Sequence, residues 1–243
     1  MEQTDTLLNG NKIIQDKDSF MFGIDAVLLA DFAVKGVRVG DSLIDLGTGN
    51  GILPLLMEKS CKASAFTGLE IQKKSAELAF RSVELNGLES KINIVQGDLK
   101  NVDSLFSKHS FNIVVSNPPY ALVTQGKQNE RDEKTIARHE VLCTLEDVVA
   151  AADYLLHTHG KFFMIHRPER LGQIFTVLAK FNLEPKQLQF IQPFADQAAN
   201  LVLIEARKNS QPGIKMLPTL IVRTRNENGE PVYTKEFSRI SNP

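Results

Sequence analysis

Tryptophan is absent from the 243-residue chain, cysteine occurs twice and tyrosine three times. Cys61 and Cys143 lie far apart and outside any C-x-x-C pattern, so neither a disulfide framework nor a zinc site is suggested, and a reducing, cytoplasmic setting is expected. No apolar run approaches the length of a membrane span; even "AVLLADFAV" is broken by Asp31. The first twenty residues are polar and mixed in charge, without the basic start and apolar stretch of an export signal. Excess charge of one sign is also lacking. The formal net charge is -1, which by itself gives no electrostatic reason to expect a nucleic acid partner. That average hides an asymmetry, because residues 1–120 carry 15 acidic and 12 basic side chains whereas residues 161–243 carry 12 basic against 7 acidic. An anionic partner is therefore expected to meet the later part, unless its Lys and Arg merely cover a solvated face.

With 42% hydrophobic and 23% charged residues, the chain suits one α/β domain with a small extension. Leu7-Leu8, an Asn9-Gly10 turn and Lys12 to Gln15 predict a small β unit, and Asp25 is placed to cap a helix whose apolar side is Ala26, Leu28, Leu29, Phe32 and Ala33. From Ser42 onward, short Val-, Ile- and Phe-rich strands alternate with amphipathic helices. Strands are expected at 42–46, 65–69, 92–96, 112–115 and 160–166, with helices near 52–59, 73–86, 145–157 and 169–181 between and after them. This is the pattern of a parallel sheet covered on both faces. Strands at 187–191 and 200–206 are joined by too short a link for a helical crossover, which makes them an antiparallel pair. Residues 1–40 are thus read as a β/helix extension, 41–208 as the core, and 209–243 as a tail with short β elements, one of them near 219–224 before an "NENG" turn. The long charged stretch 122–140 is expected as an exposed loop, with 123–137 a candidate lid.

"LIDLGTGNGI" sets Asp45, Gly47, Gly49 and Gly51 at the end of a strand and before a helix, where glycines let the backbone turn sharply and approach a ligand. The spacing is D-x-G-x-G-x-G. A dinucleotide fingerprint G-x-G-x-x-G fails because Ile52 occupies the position of its last glycine. An acid ahead of the glycines suits a ligand with a cationic amine better than a pyrophosphate, which it would repel. Glu70, ending "FTGLE", is placed to take ribose hydroxyls, and Asp98, ending "IVQGD", to accept from an adenine amino group; each could instead be a turn former or helix cap. Together these residues resemble the S-adenosylmethionine-dependent methyltransferases of the Rossmann-like class, over about residues 25 to 206. The resemblance implies S-adenosyl-L-methionine as cofactor and a mostly parallel seven-stranded sheet with an antiparallel C-terminal strand pair.

The next strand runs into Asn117-Pro118-Pro119-Tyr120, where Asn-Pro alone would pass for a turn. Beside the glycine loop it has a chemical use. A planar exocyclic amine is a poor nucleophile because its lone pair is delocalised. An Asn117 side-chain oxygen and a Pro118 carbonyl, both accepting from its N–H groups, would pull that lone pair toward a tetrahedral, transferable geometry. Proline fixes the carbonyl direction, and Tyr120 offers a flat face for stacking. N-P-P-Y, with Asn117 facing the cofactor's methyl group, resembles the signature shared by amino-methyltransferases acting on adenine N6, guanine N2, cytosine N4 and protein glutamine.

"FMFGIDAVLLADF", "ARHE" before "TLEDVVAAADYLL", "HGKFFMIHRPERL" and "ANLVLIEARK" are similar to the bacterial family that methylates N6 of the adenine beside the anticodon of a valine tRNA. That resemblance covers nearly the whole chain and implies tRNA as substrate, with Pro119, Tyr120, Arg138, His139 and Arg167 on the RNA side. His139 could equally be a helix-entry residue, and Arg167 could simply precede a helix begun by Pro168. His157 and His159 are expected at a helix end, where imidazoles meet terminal carbonyls, so no metal is expected. A glutamine amide in a protein, another nucleobase, and a cofactor-binding RNA module without catalysis are the competing readings. Protein-glutamine enzymes with this signature usually carry an extra helical domain, for which the forty residues before the core leave no room.

Overall fold

The computed structural model describes residues 2–16, 23–118 and 143–241. Its centre is a run of five parallel strands, β3 (Ser42–Leu46), β4 (Ala65–Glu70), β5 (Ile92–Gln96), β6 (Phe111–Ser116) and β7 (Leu156–His166), with β8 (Leu183–Gln192) and β9 (Leu201–Lys208) completing the sheet. The spatial order is β5-β4-β3-β6-β7-β9-β8, and β9 runs antiparallel to both its neighbours. Crossovers in both directions from β3 place β6 directly beside it.

Period-two alternation divides the sheet between two cores. Phe163 and Ile165 of β7 pack on the side of α1 (Ile24–Val34) and α2 (Ile52–Met57), whereas Phe162 and Met164 face the helices of the opposite side. In chain order the remaining helices are α3 (Lys73–Leu85), α4 (Val102–Leu105), α5 (Leu145–Leu155), α6 (Leu171–Lys180) and α7 (Lys235–Ser241). α3 stops where Gly87, at φ +64°, takes the left-handed conformation that a helix end requires.

Both chain ends are tied to this core. The hairpin of β1 (Glu2–Thr6) and β2 (Lys12–Asp16) docks on α3: the Ser82 hydroxyl accepts from Ile14 N at 2.9 Å, and Asn86 exchanges two hydrogen bonds with the Lys12 backbone. Asn11 donates to the Leu55 carbonyl at 2.9 Å, fixing the hairpin's connection to α2. At the other end, β10 (Lys215–Met216) and β11 (Leu220–Ile221) add parallel to the outer edge of β8, extending seven strands to nine. A second hairpin, β12 (Arg223–Arg225) with β13 (Pro231–Tyr233), turns through Asn226 to Gly229. The buried Phe237 of α7 then packs the tail into the first core.

Several boundaries differ from the sequence reading. Leu7-Leu8 lies in the connection of the first hairpin rather than in a strand, and Asp25 stands in the first turn of α1 behind an N-cap at Gly23. The expected strand at 219–224 is divided between β11 and β12. The expected helix at 169–181 opens with a tight turn at Pro168–Arg170 before α6 begins. The helix expected to reach His157 stops at Leu155, because Leu156 already pairs with Phe111 and opens β7 through a register shift. His157 and His159 are consequently exposed in a strand irregularity, His159 at φ +64°. The imidazole on a carbonyl is instead that of His109, 2.7 Å from Leu156 O. Nearby, the buried Lys208 ammonium pairs with the Asp153 carboxylate at 2.9 Å and reaches the Asp153 and Leu156 carbonyls at the end of α5.

Lys208→Met keeps the aliphatic stem and strands these carbonyls. Its urea unfolding is expected to show a loss of roughly 2–3 kcal/mol, the scale of hydrogen bonds to a charged group.

Candidate functional site

Asp45, Glu70 and Asn117 come from three neighbouring strands that end at the same edge of the sheet. The register pairs Asp45 with Gly68 on one side and Val115 on the other; Gly47, Glu70 and Asn117 each lie two residues further along the chain from these three. The Ser116 hydroxyl, fully buried, donates to Leu46 O at 2.9 Å and locks the β6 end onto the β3 end. Asn117 follows it half-buried, and Pro118 is buried.

The glycine loop keeps its shape through backbone contacts. Gly47 and Gly49 hold φ of +77° and +58°, and an added Cβ at either would meet no atom within 4 Å, which leaves an open cradle. Gly51, at φ +85°, has a different duty: a Cβ there would lie 3.3 Å from the Ala79 Cβ, so its absence makes room for the start of α2. Gly47 N and Thr48 N both donate to Leu69 O. Glu70 braces the loop from below, one carboxylate oxygen accepting from Gly49 N at 2.9 Å and the other from Gln72 N at 2.8 Å. Gly68 was not singled out from the sequence, yet a Cβ there would lie 2.8 Å from Thr48 Cγ2. A glycine inside an otherwise β-forming strand was the available signal.

Asp45 is 1% exposed, and neither of its carboxylate oxygens has a hydrogen-bond partner among the described residues. Burial raises its pKa to about 7; the Thr48 hydroxyl beside it offsets part of this without reaching hydrogen-bonding geometry, and the Glu70 charge adds to it. Such an orphaned acid beside an open cradle matches a ligand that brings its own cationic donor. Asp98 is already engaged: one oxygen caps the turn after β5 by accepting from Lys100 N at 2.9 Å, and the other lies 3.5 Å from Lys100 Nζ. The cap reading of this residue is therefore realised.

Arg167 follows β7, one strand beyond β6, and donates from Nη1 to Asn200 O at 3.1 Å. His166 before it was not flagged from sequence, although a histidine closing the apolar run "FFMIH" was a visible signal. It is 1% exposed, and its Nδ1 accepts from Arg167 N at 2.7 Å. Burial pushes its pKa down to about 4, helped by the Arg170 charge, so the ring is neutral at pH 7. Pro119, Tyr120, Arg138 and His139, and the expected loop 122–140, lie outside the described residues. Among the described residues no cluster of His, Cys, Asp or Glu is arranged to hold a metal ion, and no helix is long and apolar enough to cross a membrane.

The buried acid has a signature in solution. Between the usual carboxylate pKa of 3.8 and about 7, Asp45 is protonated in the folded chain and ionised in the unfolded one, so its contribution to stability is lost as pH rises through that window. Asp45→Asn is expected to gain stability relative to the ligand-free wild type by up to ~1.4 kcal/mol per pH unit across it. Denaturant titrations of both proteins at several pH values check this; parallel curves would contradict it.

The described residues 24–118 and 143–181 lie within the span, 24–181, that matches the model of the methyltransferase small domain family. The tRNA1(Val) (adenine(37)-N6)-methyltransferase of Porphyromonas gingivalis is 26% identical over 228 residues, covering 91% of this chain and 87% of that protein. The Flavobacterium johnsoniae protein of the same name is 26% identical over 92% of this chain and 91% of its own. Among solved structures, a predicted O-methyltransferase of Agrobacterium tumefaciens superposes with a TM-score of 0.70 at 23% identity, covering 90% of this chain and 95% of that one. A tRNA m1G37 methyltransferase of M. jannaschii shares the fold at a TM-score of 0.60 and 15% identity, over 86% of this chain and 57% of its own. Because the family match spans the glycine loop and the Asn117-Pro118 strand end together, the chain belongs to the methyltransferase small domain family.

Proposed function

We propose that this protein is an S-adenosylmethionine-dependent methyltransferase that transfers a methyl group to the exocyclic N6 of an adenine in tRNA. The reading is supported above all by the β3–β6 pairing of Asp45 with Val115, each two residues ahead of Gly47 and Asn117, with an open glycine cradle at that edge. S-adenosylmethionine, when bound, supplies a sulfonium methyl group open to nucleophilic attack. Asp45 would hold its amino group, Gly47, Gly49 and Gly51 would admit it closely, Glu70 would take its ribose hydroxyls, and Asp98 its adenine amino group. The orphaned Asp45 carboxylate and the empty space over Gly47 and Gly49 support this fit.

On the substrate side, the Asn117 side-chain oxygen and the Pro118 carbonyl accept the two N–H groups of the target amine and aim its lone pair at the transferable carbon. The residue before a proline is confined to extended backbone, and proline's own φ is fixed, so the acceptors are set before substrate arrives. Positioning of this kind, with water excluded, is where most of the rate enhancement of such a transfer arises. Pro119 and Tyr120 would flank the base, and Arg138, His139 and Arg167 would meet the RNA around it. The choice of tRNA adenine over a protein glutamine or another nucleobase is supported by the relatives' names and by their coverage of nearly the whole chain.

Purified protein, radiolabelled S-adenosylmethionine and either total tRNA or total protein from a strain lacking the gene form the direct assay. Label is expected in tRNA, on N6-methyladenine; label confined to protein would refute the substrate assignment. Asn117→Ala is expected to lose transfer while cofactor affinity stays within about tenfold, ~1.4 kcal/mol, and wild-type turnover in that variant would remove Asn117 from the reaction.

Cofactor binding should also be linked to protons. An amine that pairs with Asp45 ionises it, so below pH 7 binding releases a proton and affinity rises with pH until about 7. Calorimetry with S-adenosylhomocysteine in buffers of different ionisation enthalpy measures that release, and Asp45→Asn should abolish it along with most of the affinity.

A further inference from the structure

The tail does more than finish the sheet. β8 and β7 are both antiparallel to β9, so β8 runs parallel to β7 and its end at Gln192 lies on the same edge as Asn117. β11 runs parallel to β8, and the pairing continues past the strand end, with Val222 N donating to Gln192 O at 2.8 Å and Arg223 N to Pro193 O at 2.9 Å. The β12–β13 hairpin is thereby carried beyond that edge. It exposes Arg223 and Arg225 against aromatic rings: the Arg223 guanidinium lies 5.5 Å from the Tyr233 ring centroid and that of Arg225 5.1 Å from the Phe194 ring. Phe194 belongs to the β8–β9 connection, whose far end at Asn200 is gripped by Arg167.

We propose that these ring-backed arginines, aligned with Arg167 along the carboxyl edge of the sheet, form a landing surface for the phosphate backbone of the RNA substrate. The inference rests on the tRNA reading above and extends it to the residues that would hold RNA away from the reacting base. A planar guanidinium supported by an aromatic face loses little freedom when it forks onto a phosphate, and it offers five donors where a lysine offers one point charge. Arg225 commits one of its N–H groups to Gly229 O at 3.1 Å, which orients the side chain. The nearby Glu230 carboxylate is engaged by Asn226 at 3.0 Å. From β6 to β8 is three strand spacings, about 14 Å. A polyanion lying across the edge spans that distance, whereas a small ligand does not. The three arginines are exposed, which suits a backbone contact that positions a polymer without reading its sequence.

The test uses full-length protein and an unmodified tRNA transcript. For R223Q/R225Q, the Kd and KM for tRNA are expected to rise at least tenfold, with a salt dependence shallower by about one to two logarithmic units per decade. Turnover at saturating tRNA and S-adenosylhomocysteine affinity should stay at wild-type values. K108Q, in the segment that leads into the start of β6 at the opposite edge, should change none of these. R223K/R225K keeps both charges and gives up the stacked fork, so it should retain the salt slope with an affinity about threefold weaker. Unchanged affinity in that pair overturns the proposal even where the glutamine pair fails to fold. An R223Q/R225Q protein that binds and slopes like wild type, or an equal loss in K108Q, overturns it as well. Wild-type protein that methylates no RNA defeats the tRNA reading itself, whereas methylated tRNA with an indifferent arginine pair defeats only this surface.

Discussion

A parallel sheet that must be covered on both faces leaves its polar chemistry a single place to go, the strand ends. Every other feature of this molecule follows from that confinement. Leu, Ile, Val and Phe fill both faces of β3, β6 and β7, so Asp45, Glu70, Asn117 and His166 all occur where an apolar strand runs out. Strand order then decides which ends meet. Because the chain crosses over on both sides of β3, the glycine loop follows a strand flanked by the one that ends in Glu70 and the one that leads to Asn117, without any long-range device beyond the sheet's own hydrogen bonds. The general rule that ligands of open α/β sheets bind at such a switch point is here a consequence of burial.

Within that frame the buried polar groups fall into two kinds. Glu70, Ser116 and His166 are occupied by backbone partners and give the strand ends their geometry. Asp45 is not so occupied, and holding its charge without a partner costs the ligand-free protein stability. A satisfied acid, Glu70, and an unsatisfied one, Asp45, therefore lie on neighbouring strands. The contrast separates them more clearly than their positions do.

The strands were legible in the sequence because a buried parallel strand is written as an unbroken β-branched run, and the glycine spacing with its two following acids marked strand ends that the fold brings to one edge. Helix ends were less legible. The stop of α5 at Leu155 follows from the pairing of Leu156 with Phe111, and the carbonyls at its end are met by Lys208; both partners are distant in the chain, and no local pattern announces them. His157 and His159 were misplaced for the same reason, since the imidazole that meets a carbonyl arrives from His109, ahead of β6. Asp98 had two readings, of which the fold realises the cap. Gly68 and His166 were written plainly but have meaning only once a neighbouring loop or strand is known to press against them.

The placement of β10 and β11 has one more result. An outermost strand presents unpaired amides and carbonyls, an open template on which another chain can polymerise. By lying along the outer edge of β8, the tail pairs part of that row and blunts it against edge-to-edge aggregation. The hairpin bearing Arg223 and Arg225 hangs from this same guard. A truncation that removed the basic hairpin together with β10 and β11 would leave a protein prone to self-association, so its failure to act on RNA would have two causes tangled together. Point substitutions at the arginines leave the guard strands in place.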